Sequence, residues 1–134
     1  MATKADFYIG RGPDAEWIGS LFWDIYPEGL PRDLLLAGTE EVFRSKVQKL
    51  VGNRPDGYAP KNGWPWPWNN SITTPYTYAF EGLVWGSYFG SSWWVASQPM
   101  PDPTTLQSKA ARLPDMSHYP KMQPDAAQTR VFVK

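Results

Sequence analysis

Cysteine is missing from the 134-residue chain, and histidine occurs once, as His118. Without thiols there is no disulfide framework, no thiolate zinc centre and no cysteine nucleophile. A single histidine has no second imidazole with which to build a zinc site. His118 also stands in a proline-punctuated stretch, where a structural or solvated role is the ordinary reading, so neither a metal nor a cofactor is expected. Long apolar runs are missing too. Nothing approaches the roughly 18 apolar residues of a membrane span, and the opening MATKADFYIGRG holds no signal-peptide core. The expectation is a soluble, cytoplasmic protein with no membrane contact. Net charge is the third absence: thirteen basic and thirteen acidic side chains cancel, leaving no overall basic field for duplex nucleic acid. The charges are unevenly spread, however. Residues 1–45 hold Lys4, Arg11, Arg32 and Arg44 against eight acids, and the remainder compensates. Such a gradient suits orientation towards a charged partner, and a solvated acidic face accounts for it equally well.

Aromatic residues are abundant. Phe, Trp and Tyr make up 16% of the chain, and six of the eight tryptophans fall between Trp64 and Trp94. Each large ring buries roughly 150–250 Å², so this segment is set to dominate a core or an interface. Fourteen prolines and eleven glycines add a large share of turn and ordered loop.

The chain begins with a strand at Asp6–Gly10, where apolar and polar residues alternate. From Pro13 to Pro27 the spacing changes. Trp17, Ile18, Leu21, Phe22 and Ile25 fall on one helical face, with Pro13 suited to the first turn and Asp14 and Glu16 to its positive end, so a short helix is predicted. Residues 29–38 form a connection, read as a single turn or a short strand. TEEVFRSKVQKLVG carries the clearest helical pattern, with Val42, Phe43, Val47, Leu50 and Val51 as its stripe, a Glu40–Arg44 ion pair and Gly52 as a left-handed stop. YTYAF and LVWGSYF alternate around Glu81-Gly82 as a hairpin, and WWVAS reads as a third meander strand. On this pattern Tyr76, Tyr78 and Phe80 share one face, and Trp85 and Phe89 share a face of the next strand. After Ser97 the composition becomes proline-rich. One short helix is expected after Asp102, with Leu106, Ala110 and Leu113 on one side, and RVFVK is a terminal strand candidate. The fold class is therefore α+β: an antiparallel sheet of three to five strands with one or two helices over residues 1–97, and an extended arm over residues 98–134.

Catalytic patterns are sparse. No Gly-x-Ser-x-Gly elbow occurs. YIGRGPD resembles a phosphate cradle, but it lacks a phosphate-loop lysine and places acids where a phosphate would sit, so a tight turn is the better reading. Its Arg11 remains a candidate for an acidic partner. Asp14, Glu16 and Asp24 lie near Trp17 and Trp23, and such aromatic-flanked acids suit a carboxylate-based hydrolase. Surface acids at a helix start account for them as well.

The stretch GWPWPWNNSITTPY, from Gly63 to Tyr76, is the most distinctive feature. Its prolines push Trp64 and Trp66 into extended geometry and remove ladder donors, which excludes a central strand. The result is a stiff aromatic edge. It has two uses: presenting rings to a partner, or wedging at least two of the three indoles against the sheet face of Tyr76, Tyr78, Phe80 and Trp85. With the opening ADFYIGRG and the TT-Y-Y-F spacing that follows, GWPWPW resembles a family of small uncharacterised bacterial proteins found on cyanobacterial and proteobacterial chromosomes and mobile elements. The resemblance carries no activity and no catalytic residue.

The leading functional expectation is a non-enzymatic protein-binding module, an accessory subunit or inhibitor of a larger bacterial complex. Its candidate contacts are Trp64, Trp66 and Trp68 with Tyr58 and Arg11, together with Arg130 and Phe132 of the arm. The alternatives are a binder of nucleotides, single-stranded nucleic acid or sugars through stacked indoles, helped by Arg54 and Lys61, and the carboxylate hydrolase.

Overall fold

The computed structural model describes residues 3–23, 25–102 and 114–121. Its centre is a six-stranded sheet. In chain order the strands are β1 (Ala5–Ile9), β2 (Glu16–Leu21), β3 (Gly57–Tyr58), β4 (Tyr76–Glu81), β5 (Leu83–Tyr88) and β6 (Trp94–Val95). They lie in the spatial order β3-β2-β1-β4-β5-β6. All neighbours are antiparallel except β1 and β4, which run parallel with Ala5 opposite Tyr76 and Ile9 opposite Phe80. Two helices, α1 (Arg32–Leu35) and α2 (Glu40–Gly52), complete the α+β architecture.

The predicted helix over Pro13–Pro27 is a strand instead, and the reason is local. The β1–β2 ladder contains a bulge: Phe7 faces Gly19 and Tyr8 faces Trp17, which leaves Ile18 unpaired. An inserted residue lets positions three apart share a face. Trp17 and Ser20 therefore point the same way, and the indole N–H donates to the Ser20 hydroxyl at 3.0 Å. Ile18 and Leu21 join the core on the helical side, whereas Trp17 joins the other. A central strand covered on both faces and broken by a bulge thus imitates helical spacing. The turn before it joins two strands rather than a strand and a helix, and is closed by Ala15 N–H donating to the Gly12 carbonyl at 2.9 Å.

Helix α2 forms where expected. The Thr39 hydroxyl accepts from the Val42 N–H at 3.2 Å, a cap whose removal typically costs ~1 kcal/mol. Phe43, Val47 and Val51 are buried against the sheet, and Arg44 pairs with Glu40 at 3.0 Å. Gly52, expected as the left-handed stop, is the last helical residue instead, and Asn53 terminates the helix with φ −93°. Helix and sheet approach so closely at Gly57 that a Cβ there would lie 2.1 Å from the Val51 carbonyl oxygen. The β4–β5 hairpin reverses at Gly82 with φ 76°, and β6 follows as the third meander strand.

The sheet separates two cores. On the helical side Phe7, Ile18, Leu21, Tyr76, Tyr78, Phe80, Val84 and Trp94 pack with Leu34, Leu35, Phe43 and Val47. On the other side Tyr8, Trp17 and Ala79 pack with Trp64, Trp66 and Met116. Among the described residues no α-helix covers the second face; an irregular aromatic layer does. Two of the three Trp-Pro indoles are therefore buried, as one of the two readings required. They lie on the face opposite Tyr76, Tyr78 and Phe80, and the Ala79–Trp85 pairing puts Trp85 on that opposite face as well. Residues 114–121, taken from the sequence as part of an outlying arm, dock onto this layer. Trp64 N–H donates to the Pro120 carbonyl at 2.9 Å, Met116 N–H to that of Asn69 at 2.6 Å, and Met116 is 1% exposed. The expected helix after Asp102 and the strand candidate RVFVK lie outside the described residues.

Candidate functional site

The Trp-Pro layer is held by a buried polar hub. Asp6 on β1 is inaccessible to solvent. Its Oδ1 accepts from the Ser20 hydroxyl at 2.5 Å and the Trp66 indole N–H at 2.7 Å, and its Oδ2 accepts from the Ser71 hydroxyl at 2.6 Å. Tyr8 shares a hydrogen bond with Ser71 at 2.8 Å, and Trp68 donates to Thr74 at 3.0 Å. Strand β1 thus grips β2, the Trp-Pro segment and the 71–74 turn through one carboxylate. Burial raises the Asp6 pKa above the ordinary 3.8, although Ser20, Ser71, Trp66 and Thr74 pull it back. Burial, and then the Asp6 charge, push the Tyr8 phenol up as well.

A pH test follows from this shift. The folded chain holds the Asp6 proton more tightly than the unfolded chain does. The group's contribution to stability is therefore complete below pH 3.8 and is lost as pH rises through the raised folded value. Unfolding free energy measured for wild type and Asp6→Asn across this range should differ by an amount that falls with increasing pH. A flat difference refutes the assignment. Glu16 and Asp33, lowered chiefly by hydrogen bonds from Arg44 and Lys46, slope the other way in both proteins and cancel in the comparison.

The other sequence candidates fall into place around this frame. Trp64 is fully buried, edge-on to Trp17 at 5.1 Å, and its indole N–H donates to the Trp68 carbonyl. Trp66 is 3% exposed and stacked between Phe22 at 5.8 Å and Trp68 at 5.6 Å. Tyr58 is buried and packs edge-on against Trp66. Trp68 is half-buried. The rings that sequence reasoning nominated as a contact edge therefore stack mainly on one another and on the sheet. Arg11 is half-buried, with its guanidinium 4.0 Å over the Trp85 ring and ion-paired to Glu81 at 2.8 Å. Arg54 is engaged internally: it binds Asp56 at 2.7 Å, while Asp56 also accepts from the N–H groups of Phe22 and Trp23. Lys61 is exposed. Arg130 and Phe132 lie outside the described residues.

Asp14 is exposed, Glu16 is bound by Arg44 through both guanidinium nitrogens at 2.9 Å, and Asp24 lies outside the described residues. His118 is exposed and packs on Tyr119 at 4.7 Å. Among the described residues no group of three or more His, Asp or Glu side chains is arranged to hold a metal ion, and no helix is long and apolar enough to cross a membrane.

One surface was not anticipated from the sequence. At the end of the sheet where β4 begins and β5 ends, Tyr76 pairs with Tyr88. Their rings stand 5.3 Å apart and continue a ladder in both directions. Tyr26 meets Tyr76 edge-on at 6.3 Å, and Phe89 meets Tyr88 edge-on at 4.7 Å. The outer members of this ladder are open to solvent: Tyr26 is 46% and Phe89 49% exposed. The two rings come from residues 63 positions apart and carry no shared sequence pattern.

Compared with protein-family models, curated proteins and solved structures, the chain finds no match in any of the three.

Proposed function

We propose that this chain is a small, non-enzymatic, cytoplasmic protein-binding module, acting as an accessory subunit or inhibitor of a larger complex. Its contact surface is the aromatic end of the sheet rather than the Trp-Pro segment. The observation that carries the reading is the Tyr26–Tyr76–Tyr88–Phe89 ladder. Its inner rings are fixed in the sheet and its outer rings are offered to solvent, and aromatic side chains held rigidly in this way dominate protein interfaces. Pre-ordered rings also lose little conformational freedom on association.

Affinity-tagged chain recovered from native lysate, followed by size-exclusion chromatography and quantitative mass spectrometry, tests the reading. One co-eluting protein near one-to-one stoichiometry is the expected result. Recovery of the chain alone overturns it. Recovery with nucleic acid, released steeply by salt, overturns it in favour of a stacked-ring binder.

A further inference from the structure

The ladder ends in a residue whose backbone is unfavourable for its side chain. Phe89 has φ 50°, and among the described residues it is the one non-glycine with positive φ. Gly90 follows with φ 70°, and the Ser91 N–H donates to the Tyr88 carbonyl at 3.0 Å. Two central residues with positive φ closed by this bond give a turn of type I′, whose first central position favours Asn, Asp or Gly. A bulky side chain in the left-handed region is strained. Burial does not compensate for it, because the ring is half in solvent and, among the described residues, its ring contact is with Tyr88.

The turn is nevertheless rigid. The Phe89 N–H donates to the Pro75 carbonyl at 3.0 Å. The Ser87 hydroxyl donates to the Ser91 carbonyl at 2.7 Å, and the Tyr88 N–H donates to the Ser91 hydroxyl at 3.3 Å. Gly90 lies so close to Ile72 that a Cβ there would come within 3.1 Å of the Ile72 backbone. The ring is therefore aimed in a fixed direction at the tip of a locked turn. Residues 86–93, GSYFGSSW, carry no charged side chain.

We propose that Phe89 is the anchor by which the chain engages its partner, with its ring seated in an apolar, uncharged pocket one phenyl deep on another protein. This inference rests on the protein-binding reading and adds the residue and the chemistry of the complementary site. A strained, exposed and pre-aimed phenylalanine is what such an anchor requires: the strain is tolerated in the unbound fold, and the ring needs no reordering on docking.

The test uses p-benzoylphenylalanine, placed in the full chain at position 89 and, as a control, at Leu36, which is 57% exposed. Photolysis in cells should give one discrete protein adduct from position 89 and none from position 36. The protein in that adduct, purified, is then titrated against wild type and Phe89→Asn. Phe89→Asn is expected to leave Tm unchanged or raised, because asparagine suits the turn, and to weaken binding by about 30-fold or more, as loss of an interface hot spot does.

A fall in Tm of more than about 3 °C, on the scale of one destabilising contact in a domain of this size, would make Phe89 a structural residue and overturn the proposal. If a stoichiometric partner binds wild type and Phe89→Asn equally, the anchor is wrong while the protein-binding reading stands. If neither protein recovers a partner, both fail. Retention of an oligosaccharide or oligonucleotide that Phe89→Asn abolishes assigns the ring to a different ligand class and also overturns the proposal.

Discussion

Asp6→Ala is expected to lower the unfolding free energy by about 4 kcal/mol. The substitution leaves the Trp66 indole N–H and the Ser20 and Ser71 hydroxyls facing a cavity in a region closed to water, and each buried donor left unpaired costs roughly 1–3 kcal/mol. The hydroxyls rotate to recover part of this. The indole N–H is fixed by its stacked neighbours and recovers nothing. Asp6→Asn is the informative companion. It keeps the oxygen that accepts from Ser20 and Trp66 and presents an amide donor to Ser71, whose hydroxyl turns towards Tyr8. Its expected cost is about 1 kcal/mol, the net worth of one ordinary hydrogen bond. Urea unfolding followed by tryptophan fluorescence measures both. A loss under about 1 kcal/mol for Asp6→Ala would mean that the carboxylate does not hold the layer.

Trp64→Ala is expected to cost about 4 kcal/mol, within the ~3–5 kcal/mol range for truncating a buried aromatic residue. Trp64 is inaccessible to solvent, meets Trp17 edge-on and is grouped with Met116 and Tyr8 in the second core. Trp68→Ala, at a half-buried ring on the rim of the layer, should cost roughly half as much. The order of these losses distinguishes a core from an interface. Rings kept for a partner would affect binding and leave stability unchanged, so a Trp64→Ala protein as stable as wild type would return the segment to the surface. Trp64→Phe should recover part of the loss, because it restores much of the packing but not the N–H donated to the Trp68 carbonyl.

The sequence disclosed what depends on neighbours along the chain. The stripe of Phe43, Val47 and Val51 and the hairpin at Gly82 are each specified within a dozen residues and form where their patterns place them, although Val42, expected in the same stripe, is 42% exposed. The extended geometry imposed by Pro65 and Pro67 likewise excluded a central strand. What escaped was specified at a distance. Asp6 meets Ser20, Trp66 and Ser71 across separations of 14, 60 and 65 residues, and no local pattern marks those four as partners. Strand β2 was hidden by the bulge at Ile18, which converts an alternating period into a helical one. Phe89 was grouped with Trp85 on a strand face because Phe-Gly lacks the Asn-Gly signature by which such turns are recognised.

The docking of residues 114–121 on the Trp-Pro segment sets an order of events during synthesis. Trp64, Trp66 and Trp68 leave the ribosome well before Met116, which belongs to the same packed cluster. Among the described residues the buried core on the sheet's helical face is drawn from residues 5–96, with Met100 packed against it, so it can close while translation continues. The opposite face must wait. For roughly fifty residues of elongation, at about 5–20 residues per second, the indoles lie against an unfinished wall. During that interval a chaperone that binds apolar segments has its target there. A chain stopped before residue 116 should retain the helical core and remain a chaperone client for longer than the full chain.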